Sequence, residues 1–218
     1  MYKSFIKRIF DVVLSFFAIV VLLIPISIIA LITVIDSPGP VFFKQQRIGL
    51  HKKPFTILKI RSMPTTVPKD LPTHQFNAQG QLSKWQLFIR KASIDELPQI
   101  FNIFCGHMSI CGPRPALWNQ FDLIAEREKY GANDVRPGLT GWAQINGRDE
   151  LEIPLKAKLD GEYVAALNTG FSKGLAMDIK CFFGTILSVL RTDGVIEGGT
   201  GTLKKQITEE EKGAVTIK

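Results

Sequence analysis

The polarity of this chain changes most sharply near its N-terminus. From Val12 to Ile35 no side chain carries a charge, while basic clusters stand on both flanks: Lys3, Lys7 and Arg8 before the run, and Lys44, Arg47, Lys52, Lys53, Lys59 and Arg61 after it. At about 1.5 Å per residue, such a run is long enough to cross a bilayer as a helix. It is too long and too poor in cleavage signals for a secretory leader. A straight span would send one basic cluster to the side of the membrane that positive charge avoids. Pro25, near the middle of the run, removes a helical hydrogen bond and kinks the helix, and the Ser27 hydroxyl is placed to relieve a freed carbonyl. The pattern predicts a re-entrant helix-break-helix rather than a straight span, with both flanks on the cytoplasmic side.

Asp36-Ser37-Pro38-Gly39-Pro40 stops this segment with turn chemistry. Val41–Phe43 and Phe55–Ile60 read as strands on either side of a Gly49–Pro54 loop, which predicts a β-hairpin. Residues 64–80, rich in Pro, Thr, Asn and Gln, read as a long loop. Helical spacing recurs over 85–91, 97–104 (with Gly106 as its stop), 116–130, 156–167 and 177–190. The last of these sets Ile179, Phe182, Phe183, Ile186, Leu187 and Leu190 near one stripe, suited to core packing or to a membrane-surface face. Gly112-Pro113-Arg114-Pro115 reads as a rigid turn, and 135–148 as a loop carrying Arg136 and Arg148. The resulting division is an anchor over 1–37, a compact domain over 38–192 and a polar tail over 193–218. The fold class is mainly α with a small β-hairpin.

Charge then narrows the partners. The formal net charge of +7 over 218 residues calls for anions: nucleic acid, anionic lipid or phosphorylated substrates. Cys105, Cys111 and Cys181 match no zinc or disulfide spacing and read as three buried thiols in a reducing compartment. His51, His74 and His107 are scattered, which argues against a histidine metal site.

The candidate chemistry sits in Arg90 to Gln99, RKASIDELPQ, where two adjacent carboxylates follow two cations. One reading is structural: Ser93-x-x-Glu96 has the form of a capping box ahead of an apolar run, and acids suit a helix N-terminus. The other is catalytic: a carboxylate attacks phosphorus and forms an acyl phosphate, with arginines, a metal ion or helix amides cancelling the repulsion. Arg90, Lys91, Arg114, Arg136 and Arg148, several on Gly/Pro-stiffened loops, supply such cations. A basic domain on a single-pass anchor, binding nucleic acid or anionic lipid without catalysis, is the rival of another class. A scaffold with a decayed site is a third reading.

Blocks in order along the chain decide between them. They are Lys7-Arg8-Ile9-Phe10-Asp11, GPVFFKQQRIG from Gly39 to Gly49, FTILKIRSM from Phe55 to Met63, RKASIDELPQIFN from Arg90 to Asn102, GHMSICGPRP from Gly106 to Pro115, and VRPGLTGWAQINGR from Val135 to Arg148. Together, from about Lys7 to about Arg191, the chain closely resembles the monotopic phosphoglycosyl transferases, or bacterial sugar transferases, in their small minimal form. The resemblance implies a re-entrant membrane helix broken at Pro25, fused to a compact cytoplasmic catalytic domain with membrane-surface amphipathic helices, on the inner membrane of a bacterium. It implies that Asp95 attacks the β-phosphate of a UDP-sugar and expels UMP, and that Glu96 completes the dyad, helping to hold Mg²⁺ with Asp95 or assisting proton transfer. Undecaprenyl phosphate then takes the phosphosugar, the first membrane step of glycan assembly, ahead of downstream glycosyltransferases. By motif position Arg114 and Arg136 are phosphate-binding candidates, Lys59, Arg90 and Arg148 are further ones, and Gln144 and Asn146 are nucleotide contacts. An N-acetylated amino sugar is the expected cargo, membrane lipids are partners, nucleic acid is not, and a homodimer is compatible with this reading. Three departures stand out: His107 where the family has an acid, Ile24-Pro25 in place of Ser-Pro, and a longer segment between Asp160 and Asp178 containing Gly170 and Gly174.

Overall fold

A computed structural model of the chain describes residues 2–65, 82–147 and 151–190. Most of the 64–80 loop, His74, Arg148 and the 193–218 tail lie outside the described residues.

After a π-helical turn at Tyr2–Ile6, the apolar run forms one long helix, α1 (Lys7–Asp36); the break expected at Pro25 does not interrupt it, and the proline is carried inside a continuous helix. Its buried residues keep to one face. Lys7, Asp11, Ser15, Ile26 and Thr33 recur at helical spacing, and Leu22 and Ile29 pack beside Ile26. The opposite face, with Phe17, Val21, Ile24, Ile28, Leu31 and Ile35, is more than half exposed at each position. Only 11% of its most apolar stretch is buried. A helix on a soluble core turns its polar side out. This one does the reverse, as a helix bathed in hydrocarbon does. Ser27 was expected to serve the carbonyl that Pro25 frees, which is that of Val21, four residues back. Instead its hydroxyl donates to the Leu23 carbonyl at 2.8 Å, one turn before the serine itself.

Both ends of α1 are tied to the rest of the fold. At the start, Lys7 pairs with Asp178 at 2.8 Å, Arg8 donates to the Ile103 and Phe104 carbonyls, and Asp11 accepts the Ile110 amide at 2.9 Å. At the end, Thr33 accepts from the Trp85 indole and Asp36 accepts the Ser83 hydroxyl.

The hairpin forms as the alternation predicts: β1 (Phe42–Ile48) and β2 (Pro54–Ile60) are antiparallel, with Phe42 opposite Ile60 and Ile48 opposite Pro54. The Leu50–Lys52 turn closes it through left-handed His51 and Lys52. Helix α2 (Lys84–Lys91) opens on a capping box in which Ser83 and Gln86 bond reciprocally. The box expected at Ser93 and Glu96 does not form: Ser93 is left-handed and caps no amide of the following turn, and Glu96 is drawn to cations instead. After that 3₁₀ turn (Ile94–Glu96), α3 (Gln99–Phe104) runs to the left-handed Gly106.

Region 135–148, read as loop, contains a strand. β3 (Ser109–Cys111) and β4 (Gly138–Thr140) pair in parallel. Their backbones touch where side chains are absent: a Cβ on Gly138 would lie 2.1 Å from the Gly112 nitrogen. Helix α4 (Phe121–Glu128) is shorter than the 116–130 expectation, and α5 (Trp142–Ile145) is a single turn after β4. Helices α6 (Ile153–Thr169) and α7 (Phe171–Leu190) are longer than expected. They are hinged at Gly170 (φ +135°), while Gly174 stays inside α7 because the Tyr2 ring packs against it. Tyr163, Val164 and Leu167 of α6 form a core with Tyr2, Cys111 and Cys181, and a buried Arg127–Asp160 pair at 2.6 Å joins α4 to α6. Two cysteines are buried as expected; Cys105, just past α3, is exposed. Of the α7 stripe, Ile179, Phe182, Phe183, Ile186 and Leu187 are exposed rather than packed in the core.

Candidate active site

Three elements converge on the acidic pair. Alternation along β2 turns Phe55 and Ile57 to the core with Ile103 and Met108, and two residues on, Lys59 continues along that face. Asn102 of α3 clamps the β2 backbone, accepting from the Leu58 amide at 3.0 Å and donating to the Thr56 carbonyl at 2.8 Å. The dyad turn is thereby held beside the hairpin. The third element is the Gly112–Pro115 turn, whose backbone is bonded to β4 through Gly112 N–Thr140 O and Gly138 N–Pro113 O. It presents Arg114.

Glu96 Oε1 accepts Lys59 Nζ at 2.7 Å and Arg114 Nη2 at 2.9 Å. Asp95 Oδ2 accepts the Ser62 hydroxyl at 3.0 Å. Both carboxyls are buried, as is Arg90 at the end of α2. The two acids are driven apart in basicity. Burial pushes the Asp95 carboxyl above its ordinary range, the Glu96 charge reinforces this, and Lys59, Ser62 and Arg90 oppose it. Burial also works to raise Glu96, but Arg114 and Lys59 outweigh it and hold that carboxyl well below the usual range. A buried pair so separated assigns different tasks to its members: one stays a charged anchor for cations, the other keeps a more basic lone pair.

A cavity of about 250 Å³ opens beside the dyad, with Glu96 and Arg114 at its polar end and Leu139, Gln144, Phe182 and Ile186 among its walls. Thus Asp95, Glu96, Lys59, Arg90 and Arg114 come together as the sequence suggested, and Gln144 lines the adjoining cavity. Arg136 does not join them. Its Nε donates to the Gly106 carbonyl at 3.0 Å, beside the two α3 carbonyls held by Arg8, so these guanidiniums cap the negative end of α3. Asn146 is turned back on the Trp142 carbonyl at 2.8 Å and is exposed. His107 stacks on Phe55, ring centroids 6.0 Å apart. Sequence reasoning gave no role to Ser62 or Asn102, although both stand inside the blocks it singled out.

The sequence that builds this site has relatives among known proteins. The bacterial sugar transferase family matches residues 2–192, and the chain belongs to that family. It is 40% identical over 193 residues to an uncharacterized sugar transferase, EpsL, of Bacillus subtilis (strain 168), covering 87% of this chain and 89% of that one. It is 35% identical over 193 residues to the UDP-glucose:undecaprenyl-phosphate glucose-1-phosphate transferase of Escherichia coli (strain K12), covering 83% of this chain and 39% of that one. With the undecaprenyl-phosphate galactose phosphotransferase of Salmonella typhimurium (strain LT2) it shares 32% over 207 residues, 88% of this chain and 42% of that one. The chain thus spans most of the Bacillus relative and about two fifths of the other two.

Proposed function

We propose that this protein moves a sugar 1-phosphate from a UDP-sugar to undecaprenyl phosphate in two steps at Asp95. In the first, an Asp95 carboxylate oxygen attacks the β-phosphorus. The new O–P bond forms as the bond from that phosphorus to the bridging oxygen breaks, and UMP leaves with the electron pair. In the second, a phosphate oxygen of the acceptor attacks the same phosphorus and displaces the carboxylate. The balance is UDP-sugar plus polyprenyl phosphate giving UMP plus polyprenyl diphosphosugar.

The observation that carries this reading is the asymmetry of the dyad. Glu96 is engaged by two cations and held at low basicity, whereas Asp95 takes a neutral hydroxyl and is the more basic carboxylate. The better nucleophile is therefore Asp95. Lys59, Arg90 and Arg114 offset the charge of the arriving diphosphate. A Mg²⁺ ion suits the same donor set: two adjacent carboxylates are hard oxygen ligands of the kind such an ion shares with its waters and with substrate phosphates. Asp95 and Glu96 would hold it, and it would supply further neutralisation of the diphosphate.

The re-entrant topology belongs to this reading. Both ends of α1 bind one domain, its outer face is continuously apolar, and both flanks are basic. This favours a helix that enters and leaves the inner membrane on the cytoplasmic side, so that a soluble donor and a lipid acceptor meet the same carboxylate. For the sugar, the named relatives favour glucose or galactose over the N-acetylated amino sugar expected from the sequence.

The test is intact-mass analysis of purified protein with each of a panel of UDP-sugars and no lipid. The expected result is a mass gain of one phosphosugar, mapped by fragmentation to Asp95, with UMP released in equal amount. An unchanged mass, under conditions where the complete mixture makes product, overturns the two-step reading. An adduct on Glu96 overturns the assignment to Asp95.

A further inference from the structure

The cavity beside the dyad joins two environments that otherwise stand apart. Its lining includes the charged pair Glu96 and Arg114. It also includes Phe182 and Ile186, which belong to the outward apolar stripe of α7 along with Ile179, Phe183 and Leu187. The rest of the wall is largely hydrocarbon, with Leu97, Leu139 and Ile145 contributing beside Gln144 and a few hydroxyls. The wall exists because Gly184 lets α5 close on α7: a Cβ there would lie 2.8 Å from Ile145 Cδ1.

We propose that this cavity receives the first isoprene units of the acceptor lipid, with the lipid's phosphate at the Arg114 end and the rest of its chain leaving over the α7 stripe into the membrane. The proposal rests on the reaction given above. A long-chain polyprenyl phosphate has one anionic end and an otherwise apolar body, and the cavity offers Arg114 to the first and largely apolar walls, continuous with the α7 stripe through Phe182 and Ile186, to the second. At about 250 Å³ it is smaller than the roughly 300–1,000 Å³ that encloses a drug-sized molecule, so it holds a short piece of chain and not the whole. Two of its hydroxyls have spent their protons, Thr185 on the Cys181 carbonyl and Thr140 on Thr185, so neither has an O–H left to donate to a nucleoside. Gln144 Oε1 is a buried acceptor with no partner among the described residues. It is the atom a uracil N–H would find if the donor lay here instead.

The experiment uses the full chain in lipid nanodiscs. An undecaprenyl phosphate analogue with a photoreactive diazirine on its phosphate-proximal isoprene is irradiated with the protein, with and without excess unlabelled undecaprenyl phosphate. Competed cross-links to peptides holding Leu139–Ile145 and Phe182–Ser188 are expected. Cross-links confined to α1 overturn the proposal. In parallel, Ile186→Trp and Leu139→Trp fill the cavity. The expected change is a rise of at least tenfold in acceptor KM with less than a twofold change in donor KM, and a donor KM that rises in step overturns the proposal in favour of the nucleotide. If the wild type releases no UMP from any UDP-sugar, the reaction reading fails, and the cross-links alone decide this proposal.

Discussion

Lys59 Nζ lies 2.7 Å from Glu96 Oε1, and this contact carries the dyad turn onto the hairpin. Arg114 shares the same oxygen, and all three groups are largely out of water, with side-chain exposures of 14%, 10% and 29% for Lys59, Glu96 and Arg114. Removing one member of a buried ion pair strands the others. We therefore expect Glu96→Gln to lower stability by about 3 kcal/mol near neutral pH, read as a fall in melting temperature in nanodiscs. The pH dependence identifies the cause. A carboxyl held below its ordinary range stabilises the fold above that range, and this contribution is lost as pH falls through the lowered value. The gap between wild type and Glu96→Gln should close in strong acid. A gap independent of pH would mean that packing, not charge, is at stake.

Asp95→Asn should behave in the opposite sense. A carboxyl raised by burial destabilises the fold wherever it is ionised, fully above its raised value and not at all below the unfolded one. The amide removes that penalty while keeping the shape that meets Ser62. The expected variant is inactive yet melts higher than wild type at pH 8, with the advantage shrinking as pH falls through the carboxylate range. For the same reason, wild-type turnover should decline on the acid side as Asp95 takes up its proton. A variant that melts lower at pH 8 would show that the ionised carboxylate is a net stabiliser.

Which of these features could be read from the sequence follows from the length scale of the forces. The apolar run, the hairpin and most helices announce themselves through local periodicity, and the dyad through its motif block. Ser62 stands 33 residues from Asp95, and only the turn of the hairpin brings it there. The β3–β4 pair is three residues a side, held by glycines far apart in sequence, so no local pattern marks it. Arg136 sits in a loop motif that suggests phosphate, but a nearer negative pole, the end of α3, takes it. The capping box expected at Ser93 does not form, because two cations claim Glu96; one forms ten residues earlier, where Ser83 and Gln86 bond reciprocally.

The two tethered ends of α1 lead to a topology experiment. In a Cys105→Ser background, Lys3→Cys and Lys44→Cys probe the two flanks of the apolar run with a membrane-impermeant maleimide applied to the outer face. Neither is expected to react until the membrane is opened. Pro25→Ala restores the amide that Val21 lacks, but straightening the helix across the membrane would break the Lys7–Asp178, Tyr2–Asp178 and Arg8–α3 contacts together. We therefore expect position 3 to stay protected in that variant too. Labelling of position 3 in intact cells carrying an otherwise native α1 would establish a straight span.

The tether at the N-terminus converges on one acid. Asp178 Oδ2 accepts the Tyr2 hydroxyl at 2.6 Å and Lys7 Nζ at 2.8 Å, while Oδ1 accepts the Tyr163 hydroxyl at 2.7 Å. Burial, with the Asp178 charge beside it, pushes both phenols up, so they remain neutral donors at any working pH. The lysine is the exposed risk: it is buried, and its charge is compensated by Asp178. Asp178→Asn keeps an acceptor for one of the two tyrosines, puts an NH2 donor opposite the other, and removes that compensation, with an expected loss of about 3 kcal/mol and easier proteolysis ahead of α1. Adding Lys7→Met to Asp178→Asn removes the stranded charge, so stability should recover in part, with a coupling of at least about 1 kcal/mol in the double-mutant cycle. Strict additivity of the two substitutions would show that the ion pair does not hold the entrance of the membrane helix, which then rests on Arg8 at the end of α3, Asp11 on the Ile110 amide and Tyr2 packed against Gly174.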